Sequence, residues 1–421
     1  LRAIGKVEKD KLDDAFPQFV VLEPGSDQGF MLRKQEDGFV ALQRFNYATM
    51  TVGETVHAVP GHDIEDVNFD SSNHLVSISY TDDRQRTVWF DKTAQAVEQR
   101  LAKALAGKDV RISSRAEDGS RMTVWVSHED DPGQLYVYDA AKGQLAAFIS
   151  AYPSLDPAQL AVPGAIAFKA RDGTTIHGYL TLPRGRAAKG LPLVILPHGG
   201  PYGIRDTLDF DAEAQFLANR GYAVLQPNFR GSGGYGEAFD ELGRGQVGRA
   251  MQDDLDDAMD WLVGQGIADA GRVCVVGSSY GGYAALWAVI RNPERYRCAA
   301  SFAGVTDFKK ILKYDTRFFD RKGNKQWQAR VRGESSFNLD LVSPARQAAR
   351  LTRPVLLAHG DKDTTVPFDQ FSDMKDAAQK AGKPIEDLVF KDEGHGFDKP
   401  ADFQKWLETL EAFLAKHNPA D

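Results

Sequence analysis

The chain has 421 residues, 42% of them hydrophobic and 26% charged, the balance of a globular protein, and its length predicts two domains. A formal net charge of −8 argues against nucleic acid or an anionic membrane as a main partner. No apolar run approaches the roughly 18 residues of a membrane span. The two cysteines, Cys274 and Cys298, are too few for a disulfide framework or a zinc site, and no other metal site is expected. Both fall in predicted core strands and read as buried free thiols, with a bridge left open because those strands are consecutive. The chain begins at Leu1 with no signal-peptide pattern. Either a leader has been removed or this is a piece of something longer, so the compartment stays open between cytoplasm and periplasm.

Residues 1–160 read as all-β. Val76, Ile78 and Tyr80 alternate with serines, and Met122, Val124 and Val126 alternate with Thr123 and Trp125. Turns stand at Glu117-Asp118-Gly119, Asp131-Pro132-Gly133 and Ala141-Lys142-Gly143. One helix interrupts near 93–107, with Val97, Leu101 and Leu105 on one face and Gly107 placed to end it. The region holds about eleven strands, fewer than three full propeller blades of four strands each. A small β-sandwich and a partial β-propeller both fit, and no repeated motif decides between them.

Residues 161–421 change character. A hairpin turning at Asp172-Gly173 is followed by strands at 193–196, 223–226, 273–276, 299–302, 355–358 and 388–390, with helical stretches between them. This alternation predicts an α/β fold with a mostly parallel, eight-stranded sheet covered on both faces, the α/β-hydrolase architecture. The fifth strand, Val273-Cys274-Val275-Val276, runs into Gly277-Ser278-Ser279-Tyr280-Gly281 and then an Ala-rich helix. That is the setting of a nucleophile elbow, in which small residues on either side of the serine let strand and helix meet at a sharp turn. Ser279 is the candidate nucleophile, and the N–H of Tyr280 is aimed at a developing oxyanion.

Hydrolases of this fold order their triad as Ser, then Asp or Glu, then His. The seventh strand ends in His359-Gly360-Asp361-Lys362-Asp363, and the eighth in Asp392-Glu393-Gly394-His395-Gly396. Asp363 is the expected acid, with Asp361 shaping the turn, and His395 the expected base. His417 lies in the tail and reads as solvated, while His359 precedes the acid and reads as a turn or packing residue. The second oxyanion donor is expected from Gly199 or Gly200, in Pro197-His198-Gly199-Gly200-Pro201 after the third strand. Asp253-Asp254-x-Asp256-Asp257 reads as the solvated face of a helix rather than a metal site. Tyr314, Phe318 and Phe319 are candidates for the wall of an apolar pocket.

His198-Gly199-Gly200-Pro201, Asn228-Phe229-Arg230-Gly231-Ser232-Gly233-Gly234-Tyr235-Gly236, the Ser279 elbow, His359-Gly360-x-x-Asp363 and Gly394-His395 together resemble the prolyl oligopeptidase family of serine peptidases. The likeness is to its acylaminoacyl-peptidase and dipeptidyl-peptidase branches and covers roughly residues 160–416. The resemblance implies hydrolysis of short peptides through an acyl-enzyme, without a cofactor, beneath a propeller that excludes folded proteins. Arg230, Tyr314 and Thr365 are candidates for substrate contact. Thr365 stands where the family often has Arg or Asn, which implies different recognition of the substrate backbone. A seven-bladed propeller needs roughly 280–315 residues, far more than precede the hydrolase region. A homo-oligomer and association with a missing N-terminal propeller fragment are both left open. A carboxylesterase with the same triad and a catalytically silent hydrolase scaffold are the rival readings.

Overall fold

The computed structural model describes residues 20–383 and 385–420, so residues 1–19 of the predicted β-rich region lie outside the described residues. The chain up to Leu155, with Gly234–Ala238, forms one compact unit, and Asp156–Gly233 with Phe239–Asp421 the other.

Among its described residues the first unit has three antiparallel sheets taken in chain order. Strands β1 (Val20–Leu22), β2 (Gln28–Lys34), β3 (Val40–Asn46) and β4 (Thr51–His57) make a four-stranded meander. Strands β5 (Ile64–Phe69), β6 (Leu75–Thr81) and β7 (Gln85–Trp89) make a three-stranded one. Strands β8 (Asp109–Arg115), β9 (Arg121–His128), β10 (Asp131–Asp139) and β11 (Gln144–Ser150) make the third. Successive meanders of this kind are the units of a partial propeller, not the two facing sheets of a sandwich. Phe30, Leu32 and Leu42 of the first sheet bury against Ile64, Val67 and Ile78 of the second. Helix α1 (Lys92–Ala104) starts at the Asp91 cap, whose carboxylate accepts from the Thr93 and Ala94 N–H groups. Its Val97 and Leu101 lie in one cluster with Met122, Val124 and Val126 of β9.

The second unit is an α/β-hydrolase. Its sheet runs β12-β13-β15-β14-β16-β17-β18-β19. These strands are β12 (Gly164–Lys169), β13 (Thr175–Thr181), β14 (Leu191–Ile195), β15 (Ala223–Asn228), β16 (Ala268–Ser278), β17 (Cys298–Phe302), β18 (Val355–Gly360) and β19 (Glu386–Phe390). Only β13 runs against the others, pairing antiparallel with both β12 and β15. The central strands are buried on both faces, which is why they read as unbroken apolar runs. Leu193, Ile195, Val273 and Val275 belong to the core on one face. That side also holds helices α3 (Ala250–Gly264) and α4 (Tyr280–Arg291). Val194, Cys274, Val276 and Ala300 belong to the core on the other, with helices α2 (Ala212–Asn219) and α5 (Pro400–His417). All of α4 from Tyr280 to Ile290 is buried, consistent with a helix apolar on every side.

Three expectations are corrected here. Cys274 and Cys298 are directly paired residues on adjacent parallel strands, with Cα atoms 4.8 Å apart, and are joined by a disulfide rather than left as free thiols. The aspartates of α3 are not a solvated face, since Asp254, Asp256 and Asp257 are all buried. Asp256 accepts from the Tyr296 hydroxyl and, at 2.6 Å, from the Asn292 side-chain amide. Asp257 accepts from the backbone and side chain of Arg171 at 2.7 and 2.9 Å. His417 is not in a frayed tail: it is the last residue of α5, its ring 4.8 Å from that of Phe413 and its Nε2 3.2 Å from Glu386.

Candidate active site

Strands β14, β16, β18 and β19 all run parallel, so the loops that follow them emerge at one end of the sheet. Those loops carry Gly199, Ser279, Asp363 and His395, respectively. The shared direction of the strands brings together residues far apart in sequence.

Ser279 sits between β16 and α4 with φ 58° and ψ −122°, a conformation costing a non-glycine residue on the order of 1–3 kcal/mol. Its N–H donates to the Phe302 carbonyl on β17 (2.9 Å), and its carbonyl accepts the Tyr283 N–H (3.0 Å), which holds the turn in that geometry. The flanking glycines are dictated by space. A Cβ on Gly277 would stand 2.6 Å from the backbone of Gly281, and one on Gly281 would stand 2.0 Å from the Pro197 carbonyl oxygen. Tyr280 is the first residue of α4, so its N–H is among those left without an intrahelical acceptor, at the positive end of the helix dipole. Its side chain is buried beside Phe229 and Tyr283.

The loop after β14 packs against this elbow. A Cβ on Gly199 would lie 3.4 Å from the Ser279 Cβ and 3.8 Å from its Oγ. The His198 ring stacks on Phe229 and places Nδ1 2.7 Å from the Gly199 carbonyl and Nε2 2.7 Å from the Ser232 hydroxyl. Burial pushes the His198 imidazole down to about 4, so at neutral pH it carries one ring hydrogen. Because the Gly199–Gly200 peptide is trans, drawing its carbonyl toward His198 turns the Gly200 N–H the opposite way.

The Asp363 side chain is fully buried and accepts three hydrogens. Its Oδ1 takes the N–H groups of Thr365 (2.8 Å) and Val366 (2.9 Å). Its Oδ2 lies 2.7 Å from His395 Nδ1 and 3.3 Å from His359 Nε2. Burial alone would raise this carboxyl. The His359 ring beside it and the bonds from His395 and Val366 outweigh it and hold Asp363 well below the usual carboxylate range, so it is ionised at neutral pH. The His395 side chain, 28% exposed, reaches solvent where Asp363 does not. Asp361 shapes the turn by accepting the Asp392 N–H at 2.7 Å. Glu393, also buried, accepts the N–H groups of Asp398 (2.8 Å) and Lys399 (3.0 Å), and its own carbonyl accepts from Lys362 N–H (2.9 Å). The acid loop and the histidine loop are thereby bonded to each other.

The three candidates for substrate contact fare differently. Arg230 is corrected: its guanidinium is buried and committed, with Nε 2.9 Å and Nη2 2.7 Å from the two oxygens of buried Asp254 and Nη1 2.8 Å from Asp172. It anchors the loop after β15 and α3 to the turn after β12. Thr365 is exposed, with its N–H on Asp363. Tyr314 donates its hydroxyl to the Thr364 carbonyl (2.6 Å), tying its helix to the acid loop, while Arg317 covers its ring at 3.7 Å. Phe318 and Phe319 stand in solvent nearby.

Reasoning from sequence missed His359, Glu393, and Asp254 with Asp172. The spacing His359-x-x-x-Asp363 was the available signal for the first, and nothing local announced the others. Among the described residues no cluster of His, Cys, Asp and Glu suited to a metal is present, and no helix is long and apolar enough to cross a membrane.

The fold is that of the α/β-hydrolases, and the site has the parts of a serine hydrolase. The model of the prolyl oligopeptidase family matches residues 208–419, half of the chain and the stretch that carries Ser279, Asp363 and His395. The chain belongs to that family. It is 34% identical over 352 residues to dipeptidyl aminopeptidase BIII of Pseudoxanthomonas mexicana, covering 81% of this chain and 50% of that protein. To dipeptidyl peptidase family member 6 of Caenorhabditis elegans it is 32% identical over 330 residues, 72% of this chain and 44% of the other. The chain thus spans about half the length of these curated relatives. In structure it is similar to a puromycin-hydrolyzing peptidase of Mycobacterium tuberculosis, with a TM-score of 0.78 at 22% identity over 96% of this chain and 62% of that one.

Proposed function

We propose that this chain hydrolyses short peptides through an acyl-enzyme on Ser279. In this reading His395 takes the Ser279 hydroxyl proton as Oγ attacks the scissile carbonyl. Asp363 fixes the imidazole tautomer and stabilises the imidazolium. The N–H of Tyr280 and a glycine N–H of 199–200, by its orientation that of Gly200, receive the oxyanion. The proton then passes from His395 to the leaving amine, and water repeats the sequence to free the acyl group. No step calls for a cofactor. The observation that carries this reading is the 2.7 Å contact of His395 with a buried, ionised Asp363, at the sheet end that presents Ser279 in a strained turn.

The names of the two curated relatives support release of dipeptides from a free N-terminus as the first specificity to test. Chromogenic amides in three sets decide it, one with a single free amino acid, one a free dipeptide and one N-acylated, with Ser279→Ala protein as background. Turnover of the dipeptide set is expected. Turnover of a p-nitrophenyl ester without any amide would contradict the peptidase reading and favour an esterase.

A further inference from the structure

We propose that His359 is a positioning residue for Asp363, an inference that rests on the triad proposed above. An ionised carboxylate offers about four acceptor positions; three of those of Asp363 are filled by the Thr365 and Val366 N–H groups on Oδ1 and by His395 on Oδ2, and His359 Nε2 stands 3.3 Å from Oδ2 on the remaining side. His359 Nε2 binds the Val366 carbonyl at 2.8 Å and so fixes the turn whose Thr365 and Val366 N–H groups hold Oδ1, while its polar edge stands beside Oδ2; together these fix the Oδ2 lone pair facing His395.

The surroundings of His359 match that task and not simple packing. The ring is completely buried, with its edge set against the rings of Phe368 and Phe371 at 5.9 and 6.1 Å. Its Nδ1 has no hydrogen-bond partner among the described residues, while Nε2 faces two acceptors, the Val366 carbonyl at 2.8 Å and Asp363 Oδ2 at 3.3 Å. The ring hydrogen therefore belongs on Nε2, directed at the Val366 carbonyl in the turn that carries the acid, with the acid's Oδ2 beside it. A packing role needs no polar atom here, and burying an imidazole with one nitrogen unpaired is costly. Holding the acid in this way keeps His395 with Nδ1–H toward Asp363 and Nε2 free for Ser279.

The test uses the full chain with His359→Phe, which keeps an aromatic ring and loses the donor, and His359→Gln, whose side-chain amide reaches the Nε2 position. Turnover of the amide cleaved by the unaltered protein is measured alongside near-ultraviolet circular dichroism. For His359→Phe, kcat is expected to fall about ten- to hundredfold with KM within about twofold, the scale of a small misplacement of catalytic groups. His359→Gln is expected to return to within about threefold of the unaltered protein, because the donor is restored. A folded His359→Phe protein with unaltered kcat, or a His359→Gln protein as slow as His359→Phe, overturns the proposal. If His359→Phe does not fold, NMR of histidine labelled with nitrogen-15 replaces it. A His359 Nε2–H signal that moves on Asp363→Asn supports the contact, and one that stays in place overturns it. Residual turnover in Ser279→Ala overturns the triad reading and this proposal together, whereas a silent Ser279→Ala beside a fully active His359→Phe removes this proposal alone.

Discussion

In the hydrolase unit a central strand such as β14 buries every side chain, Leu193 and Ile195 on one face of the sheet and Val194 on the other. In the front unit β11 leaves most of its side chains in solvent, with Phe148 62% and Ile149 54% exposed. The difference lies in how the sheets are covered. One wide parallel sheet flanked by helices gives two continuous cores and gathers the loops after its strands at one end, where distant residues can meet. Three narrow meanders give several small cores and no common edge of that kind. Chemistry concentrates in the first arrangement, and with it a dependence on buried polar groups that the front unit largely lacks.

The largest expected effect is therefore catalytic. Ser279→Ala or His395→Ala should lower kcat by at least about 10⁴-fold, the scale on which triad members act as one unit, with the circular dichroism spectrum unchanged. Next comes Arg230→Met, which leaves Asp254 buried without its bidentate partner and should cost about 3–5 kcal/mol by denaturant unfolding. A loss under about 1 kcal/mol would show that this pair is no anchor. Replacing Cys274 and Cys298 together by Ala opens a loop with a sequence separation of 24 and should cost about 3 kcal/mol. Treatment of the unaltered protein with a reductant and a denaturant should shift its unfolding midpoint to that of the double variant. In the front unit, Ile78→Val removes one methylene from a fully buried site and should cost about 1 kcal/mol. Smallest of all, Phe148→Ser on β11 should change stability by no more than about 0.5 kcal/mol. A larger loss would mean that this strand is covered in solution.

The same contrast governs what could be read from the sequence. The elbow was legible because its glycines answer a local steric demand, Gly277 against Gly281 and Gly281 against Pro197. Asp363 and His395 were legible because chain order and strand ends restrict the choice. The helix of the front unit showed in Val97, Leu101 and Leu105, and the eleven strands among its described residues showed as alternation. Their grouping into three sheets did not, since pairing partners leave no mark on any single strand. Long-range partners were lost for the same reason. Asp254 and Asp256 looked solvated because helical spacing cannot reveal Arg230 or Tyr296 opposite them. Cys274 and Cys298 looked free because their pairing depends on the register of β16 against β17. His359 read as a turn or packing residue, which its bond to the Val366 carbonyl fits; its nearness to Asp363 did not show because it needs the chain to fold back within one short loop.

The most direct test of the central claim, that Ser279 is a nucleophile activated through His395 and Asp363, is covalent labelling. The full chain is treated with diisopropyl fluorophosphate and mapped by mass spectrometry, with His395→Ala and Asp363→Asn in parallel. A single adduct on Ser279, forming at least about a hundredfold more slowly in both variants, is the predicted result. An unlabelled Ser279 in folded protein, or labelling that proceeds equally fast without His395, would contradict it.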